Sequence, residues 1–219
     1  MHPLPTPCLC LVTDRRLCGA DSLEEKVAAA VSGGVDMVQL REKNLPGGEL
    51  LKLALKLRSI TKGKALLVIN DRLDVALAAG GDGLHLPEDS LSIHDARRVV
   101  PSQFLLGKSV HDLAAASAAA GEGADYLVLG TTFATSSKPG ADTGGTDRVS
   151  KVTLLVDAPV LAIGGVDSHN VTSVMDAGAQ GIAVVSAILG AQDPERATRE
   201  LKQSMIAAWK VRKGLALHS

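Results

Sequence analysis

Short runs rich in β-branched residues alternate with Ala- and Leu-rich amphipathic segments along the whole chain. An alternation of this kind predicts a parallel sheet in which a helix follows each strand. The apolar runs predict strands at Cys8–Thr13, Val35–Leu40, Ala65–Asn70, Gly83–Leu86, Phe104–Ser109, Tyr126–Gly130, Val160–Ile163 and Gly181–Val185. Helical periodicity predicts helices at Ser22–Ser32, Gly47–Thr61, Arg72–Ala79, Ile93–Val99, Asp112–Glu122, Asp147–Val156, Asn170–Ala177 and Pro194–Lys210.

A similar short turn ends several of these helices and leads into the next strand. The four turns are Gly33-Gly34-Val-Asp, Gly80-Gly81-Asp-Gly, Glu122-Gly-Ala-Asp and Ala177-Gly-Ala-Gln-Gly. Each resembles a glycine helix stop. The regular recurrence of this turn favours an α/β fold, namely a single (β/α)8 TIM barrel. An open doubly wound sheet is the alternative, although no G-x-G-x-x-G follows the first strand. We predict one domain over residues 1–219, with frayed ends at 1–7 and 211–219.

The composition restricts the partners that this chain is expected to have. Its 219 residues carry a net charge of -1 and only 2% aromatic residues. We therefore expect no nucleic-acid partner, because single-strand recognition depends on stacked rings and a basic surface. No apolar run is long enough to span a membrane, and no signal peptide precedes the first strand. Three cysteines, an odd number, fit a reducing cytoplasm, and Cys8 and Cys10 should face the same side of the first strand.

In a TIM barrel, the residues at the carboxyl ends of the strands form the active face. The second strand ends in Gln39, Arg41 and Lys43, which are spaced by two residues. Residues two apart point to the same side of an extended chain. An amide and two fixed cations on one side suit a phosphate or pyrophosphate ligand. The alternative interpretation is that Arg41 and Lys43 are solvated loop charges, loosely paired with Glu42.

Carboxylates follow the third and fourth strands. Asp71 comes after Asn70 at the end of the third strand, and Asp89 closes the segment His85-Leu-Pro-Glu-Asp89. Two carboxylates on adjacent strand ends suit Mg²⁺ bound together with ligand phosphate oxygens. Asp71 and Asp89 are the predicted metal ligands, with Glu88 as a substitute. The competing interpretation of Asp71 is that it only caps the next helix.

The fifth strand ends Gly107-Lys-Ser-Val-His111. Ser109 is a candidate hydrogen-bond donor to phosphate, and His111 is either a general base or a structural group. Lys108 raises the alternative of a Schiff-base lysine. Because Lys108 precedes Ser109, it should point outward if Ser109 faces the site.

The last three strand ends offer further groups for binding anions. A long loop from Gly130 to Gly145 contains Thr135, Ser136, Ser137 and Lys138, which form a candidate anion-binding segment. The seventh and eighth strands lead into Gly164-Gly165 and Val185-Ser186. Glycine there lets a phosphate approach backbone N–H groups, and barrels often bind phosphate after these two strands.

Taken together, these motifs resemble those of the thiamine phosphate synthases over nearly the whole chain. Such enzymes join 4-amino-2-methyl-5-hydroxymethylpyrimidine diphosphate to a thiazole phosphate and release pyrophosphate, so small phosphorylated substrates, Mg²⁺ and a possible homodimer are implied. By resemblance, Arg41, Lys43 and Lys138 hold the pyrophosphate, Asn70 and Ser109 add hydrogen bonds, and Asp71 and Asp89 bind Mg²⁺. Gln39 would orient the pyrimidine, Thr135 and Ser137 would contact the thiazole substrate, and Gly165, Val185 and Ser186 would bind its phosphate. The residues expected to act in catalysis are Arg41, Lys43, Ser109 and Lys138.

The chain departs from the usual family pattern in three places. Where the family usually has His-Leu-Gly-Gln-x-Asp, the segment ending at Asp89 is one residue shorter. In the long loop, Thr131 and Ala134 replace prolines. On the fifth strand, Lys108 and Val110 replace Val and Thr. Two alternatives therefore stay open: a thiazole tautomerase that uses His111, and a non-catalytic regulator that binds a phosphate ligand. The cations and carboxylates favour the synthase, because a tautomerase has no pyrophosphate to neutralise.

Overall fold

The computed structural model describes residues 4–135, 140 and 142–214. Its eight strands all pair in parallel and form a closed barrel, which confirms the TIM barrel and rules out the open sheet. The strands are β1 Cys8–Val12, β2 Met37–Leu40, β3 Leu66–Asn70, β4 Gly83–Leu86, β5 Leu105–Val110, β6 Tyr126–Leu129, β7 Val160–Ile163 and β8 Gly181–Val184. Their ends agree with the predicted strands to within two residues.

Helices follow the strands and surround the barrel. They are α1 Leu23–Gly33, α2 Gly47–Thr61, α3 Leu73–Ala78, α4 Ile93–Arg97, α5 Leu113–Gly121, α6 Gly145–Leu155, α7 Val171–Asp176, α8 Ser186–Leu189 and α9 Pro194–Arg212. The sequence analysis missed the short α8 and a 3-10 turn at Arg15–Leu17. Within the described part of the chain, no helix has the length and apolar character needed to cross a membrane.

The side chains of each strand alternate between two cores. One set fills the inside of the barrel and includes Cys8 and Cys10, which face the same side as predicted. The other set packs between the strands and the helices. Tyr126 occupies the interior with no exposed surface, and a Cβ atom at Gly107 would lie 2.1 Å from its ring. Gly107 is therefore required to make room for Tyr126.

The recurring turn noted in the sequence closes the amino-terminal end of the barrel. In each turn, a polar side chain just before an even-numbered strand accepts a hydrogen bond from a backbone N–H at the start of the preceding strand. The four pairs are Asp36 with Leu9, Asp82 with Leu67, Asp125 with Leu106, and Gln180 with Val160, at 2.7 to 2.8 Å. The three carboxylates also pair with Lys202, Arg58 and Arg97, respectively. This ring of side chains ties neighbouring strands together and stabilises the end of the barrel opposite the predicted site.

Described residues near both ends of the chain contact the barrel. Leu4 packs against the interior core, and the Lys202 ammonium donates to the Pro7 carbonyl at 3.0 Å. At the other end, α9 continues to Arg212, whose guanidinium donates to the Met175 and Ala179 carbonyls. Leu4, Pro7 and Arg212 thus contact the rest of the barrel, and the frayed ends stay a prediction. The remaining end residues 1–3 and 215–219 lie outside the described residues, and the single-domain assignment stays a prediction.

Candidate active site

Gln39 and Asn70 lie next to each other at the carboxyl ends of β2 and β3. The Gln39 Nε2 group donates to Asn70 Oδ1 at 3.1 Å, and the two residues are only 3% and 8% exposed. Among the residues that the structure describes, Gln39 Oε1 is a buried acceptor with no hydrogen-bond partner. Leaving such an atom unsatisfied costs about 1–3 kcal/mol. The amide oxygen of Gln39 is therefore suited to accept a hydrogen bond from a ligand.

Arg41 and Lys43 follow β2 at the same end of the barrel. The Arg41 backbone N–H donates to the Thr13 hydroxyl at 2.9 Å, which fixes the chain at this point. Glu42 turns away and accepts from the Arg15 backbone N–H at 3.0 Å, and burial raises the pKa of its carboxyl. The interpretation in which Glu42 pairs with its two neighbours is therefore wrong. Neither neighbour forms an ion pair with any described residue, so both cations are available to an anionic ligand.

Asp71 follows β3 in the left-handed region, with φ +64°. Its Oδ1 atom accepts a hydrogen bond from the Ser90 hydroxyl at 2.5 Å. The interpretation of Asp71 as only a helix cap is wrong, because no side chain caps the start of α3. The contact with Ser90 also brings the turn after β4, which contains the exposed Asp89, next to the end of β3.

Asp71 and Asp89 fit Mg²⁺ only if oxygen atoms of a bound ligand complete its coordination. Within the described ranges, no group of three or more His, Cys, Asp or Glu side chains is placed to hold a metal ion. Mg²⁺ is commonly held by one or two carboxylates together with substrate phosphates. The residues present therefore fit a cation that binds together with a phosphorylated ligand.

Lys108 points away from the barrel interior, as predicted. Its ammonium donates to the carbonyls of Pro87 and Leu91, at 2.8 and 3.1 Å, and so spans the turn after β4. Burial is the main cause that lowers the pKa of Lys108. Because both hydrogen bonds lie on the outer side of β5, the geometry gives no support to a Schiff-base lysine.

Ser109 lies on the inner side of β5 and contacts His85, which in turn contacts Tyr126. The sequence analysis missed both residues. The Oγ atom of Ser109 is 2.8 Å from His85 Nε2, and His85 Nδ1 is 3.3 Å from the Tyr126 hydroxyl. His85 is 1% exposed. Burial, together with the positive charges of Lys108 and Arg41, lowers the pKa of His85 to about 3. The imidazole is therefore neutral at physiological pH, and these three side chains form a hydrogen-bonded row beneath the site.

His111 is held at the mouth of the barrel. Its Nδ1 atom lies 2.7 Å from the Gly130 carbonyl and must carry the proton that this contact requires. Its Nε2 atom is 3.5 Å from a Glu88 carboxylate oxygen. The cap of α5 is Asp112, which accepts from the Ala115 backbone N–H, so His111 is not a helix cap.

The loops after β6 and β7 are in close contact. The Phe133 N–H donates to the Gly164 carbonyl at 2.9 Å, and a Cβ atom at Gly165 would lie 2.5 Å from the Ala134 carbonyl oxygen. Gly165 has φ +62°, so both the space and the backbone conformation require glycine. These glycines therefore set the position of the first part of the long loop, which leads to the partly buried Thr135.

The other residues predicted on this side have different outcomes. Val185 precedes α8, and Ser186 begins it as an exposed residue, so both lie at the carboxyl end of β8. Ser136, Ser137 and Lys138 lie outside the described residues. The roles predicted for these five positions and the rest of the site stay predictions.

The arrangement can be compared with known proteins. A family model described as "Thiamine monophosphate synthase" matches residues 9–188. The chain belongs to the thiamine monophosphate synthase family. A thiamine-phosphate synthase of Methanoculleus marisnigri is 46% identical over 202 residues, which cover 91% of this chain and 96% of that protein. A thiamine-phosphate synthase of Roseiflexus castenholzii is 41% identical and covers 91% of this chain and 90% of its own length.

Solved structures agree with this assignment. The thiamine phosphate pyrophosphorylase of Pyrococcus furiosus superposes with a TM-score of 0.85 at 37% identity, covering 92% of this chain and 96% of that one. A 3-hexulose-6-phosphate synthase from Salmonella typhimurium superposes with a TM-score of 0.71 at 19% identity, covering 92% of this chain and 99% of its own, which shows the fold alone. Family membership makes the chain an enzyme, a transferase, and confirms the resemblance seen in the sequence.

The structure brings together the predicted residues Gln39 and Asn70 at the ends of β2 and β3, and it places Ser109 of β5 against His85 of β4. Sequence reasoning missed Ser90 and His85, which contact the predicted residues Asp71 and Ser109. It also missed Tyr126, which contacts His85. A histidine within an apolar strand was the available signal for His85. Ser90 and Tyr126 gave no comparable signal, since their partners are distant in sequence.

Proposed function

We propose that this member of the family joins 4-amino-2-methyl-5-hydroxymethylpyrimidine diphosphate to 4-methyl-5-(2-phosphoethyl)thiazole, or its carboxylate, to give thiamine phosphate and pyrophosphate. The single observation that best supports the substrate is the buried Gln39 Oε1 atom, which lacks a partner among the described residues. The amino group of the pyrimidine is a donor that would satisfy it. Because Gln39 Nε2 is bonded to Asn70 Oδ1, the Asn70 amide N–H groups are left to donate to the diphosphate.

Positively charged side chains would balance the negative charge of the diphosphate. Arg41 and Lys43 form no ion pair in the described chain, and Ser109 near the end of β5 would add a neutral donor. Lys138 is proposed as a third cation. When bound, Mg²⁺ would neutralise charge on the diphosphate, and Asp71 and Asp89 would hold it.

The reaction needs positioning and charge stabilisation more than a nucleophile from the protein. The bond between the pyrimidine methylene and the diphosphate oxygen breaks, and its electron pair leaves with pyrophosphate. The electron-rich pyrimidine stabilises the resulting cation, and the thiazole nitrogen then donates the electron pair of the new carbon–nitrogen bond. Donors directed at the leaving group lower the barrier to the first step. Thr135 and Ser137 are proposed to position the thiazole, and Gly165, Val185 and Ser186 to bind its phosphate.

A product assay tests this proposal. Purified protein is incubated with both substrates and Mg²⁺, and thiamine phosphate is measured by oxidation to its fluorescent thiochrome. We expect product that is lost with EDTA and restored by excess Mg²⁺. Arg41→Ala should lower kcat/KM by about 100-fold, which corresponds to the loss of one charge-assisted contact to the leaving group. Arg196→Ala is the matched control, because Arg196 is an exposed arginine of α9 whose guanidinium lies 3.9 Å from Glu200.

The two alternative functions are separated in the same experiment. Isomerisation of the thiazole carboxylate phosphate that depends on His111, without formation of thiamine phosphate, would assign the protein to the tautomerases. Binding of the thiazole phosphate with no turnover and no dependence on Mg²⁺ would indicate a regulator. Either result would overturn the proposed synthase activity.

A further inference from the structure

In the row of Ser109, His85 and Tyr126, the buried Tyr126 hydroxyl determines which group donates each hydrogen bond. We call this the direction of the row. Tyr126 has no exposed surface, and His85 is its only side-chain hydrogen-bond partner among the described residues. A buried O–H group without an acceptor is costly, so Tyr126 should donate its proton to His85 Nδ1. His85 then carries its own proton on Nε2, the atom that lies 2.8 Å from Ser109 Oγ.

The direction of the first two hydrogen bonds determines what Ser109 offers to a ligand. The Nε2–H group of His85 donates to Ser109 Oγ, so the serine oxygen is already an acceptor. The hydroxyl proton of Ser109 cannot return to His85 and must point elsewhere. Ser109 is partly exposed at the carboxyl end of β5, so this proton is directed into the site. In the opposite tautomer, Ser109 would donate to His85 and present only lone pairs to a ligand.

We propose that Tyr126 and His85 are positioning residues that hold the Ser109 hydroxyl as a hydrogen-bond donor toward the departing diphosphate. This assignment of the acceptor rests on the proposed function, whereas the direction of the row rests on the fold alone. A donor fixed before the ligand arrives needs no reorganisation as negative charge builds up on the leaving group.

The neighbouring backbone explains why the row is rigid. His85 pairs with Gly107 in the sheet, and Gly107 pairs with Tyr126. The missing side chain at Gly107 leaves the space through which the Tyr126 ring reaches His85, with ring centroids 5.7 Å apart. Neither ring can turn without displacing core atoms, so the hydrogen bonds keep one geometry.

The tautomer of His85 is the first test, and it does not depend on activity. ¹⁵N-labelled histidine is introduced, and the spectrum is compared with that of His85→Gln to assign the His85 signals. We expect Nε2 to carry the proton in the ligand-free protein. A proton on Nδ1 would overturn the proposal, because Ser109 would then donate to His85. If the expected tautomer is found but no thiamine phosphate forms, the proposed function fails and the direction of the row stands.

Kinetics then test whether the row acts through Ser109. Ser109→Ala should lower kcat about 100-fold, and Tyr126→Phe about 10-fold, each with a smaller change in KM for the pyrimidine diphosphate. If Tyr126 acts only through Ser109, then adding Tyr126→Phe to Ser109→Ala should cause no further loss of kcat. Additive losses would show a merely structural role and would overturn the proposal. Thermal denaturation of each variant confirms that the folded enzyme is being compared.

Discussion

Acidification should destabilise this protein through His85, because the buried imidazole resists protonation. The pKa of His85 is lowered to about 3, whereas a histidine in the unfolded chain titrates near 6.5. Between these values, the unfolded state binds more protons than the folded state, so stability falls as the pH is lowered from about 6.5 toward 3. At pH 5.0 this linkage amounts to about 2 kcal/mol from His85 alone.

Replacing His85 with glutamine isolates this contribution. Glutamine does not titrate, and its amide can still donate to Ser109. The free energy of unfolding is measured by urea denaturation at pH 7.5 and pH 5.0, with the fluorescence of the only tryptophan, Trp209, as the signal. The loss on acidification should be about 2 kcal/mol larger for the wild type than for His85→Gln.

The control for this measurement is His94→Gln, since His94 is exposed on α4. It should retain the wild-type dependence on pH. The reasoning is refuted if the wild type and His85→Gln lose the same free energy between the two pH values. If His85→Gln does not fold, a wild type equally stable at both pH values would refute the reasoning by itself.

Three further substitutions and one control substitution test other parts of the structure by denaturation. Asp125→Ala removes the acceptor of a backbone N–H and a guanidinium, and it should lower the free energy of unfolding by about 2–3 kcal/mol. The control is Leu154→Ser, at a residue that is 86% exposed, which should change the free energy of unfolding by less than about 0.5 kcal/mol. Gly165→Ala should lower stability by about 2–3 kcal/mol, because its Cβ would meet the Ala134 carbonyl at 2.5 Å and φ is +62°. Lys108→Met should lower stability by about 1–2 kcal/mol through the loss of two partly exposed hydrogen bonds, and unchanged stability would show that they contribute nothing.

The sequence predicts most of the fold because the alternation of strands and helices leaves few architectures. The same reasoning gives the inner face of each strand, since side chains alternate with a period of two residues. Gln39 and Asn70 were predicted separately from two strand ends, and parallel pairing at the same edge brings them within 3.1 Å. Candidate site residues of this kind follow from local pattern and topology together.

Contacts across the barrel interior could not be predicted in this way. His85 and Tyr126 are 41 residues apart, and their contact depends on the stagger of β4, β5 and β6 and on the space left at Gly107. Asp71 shows a second limit. Its position before a helix is typical of a cap, yet the left-handed backbone and the Ser90 hydroxyl give its side chain a tertiary partner instead.

Two departures from the family pattern meet at one place in the structure. The turn after β4 is one residue shorter than usual, and position 108 holds lysine where valine is usual. A valine side chain has no donor, whereas the Lys108 ammonium bonds the carbonyls at both ends of this turn. This turn supplies Ser90 to Asp71 and contains the exposed Asp89. Lys108 therefore holds this turn, and the Ser90 hydroxyl joins it to the end of β3. The predicted magnesium ligands Asp71 and Asp89 lie on the two segments that this hydrogen bond connects.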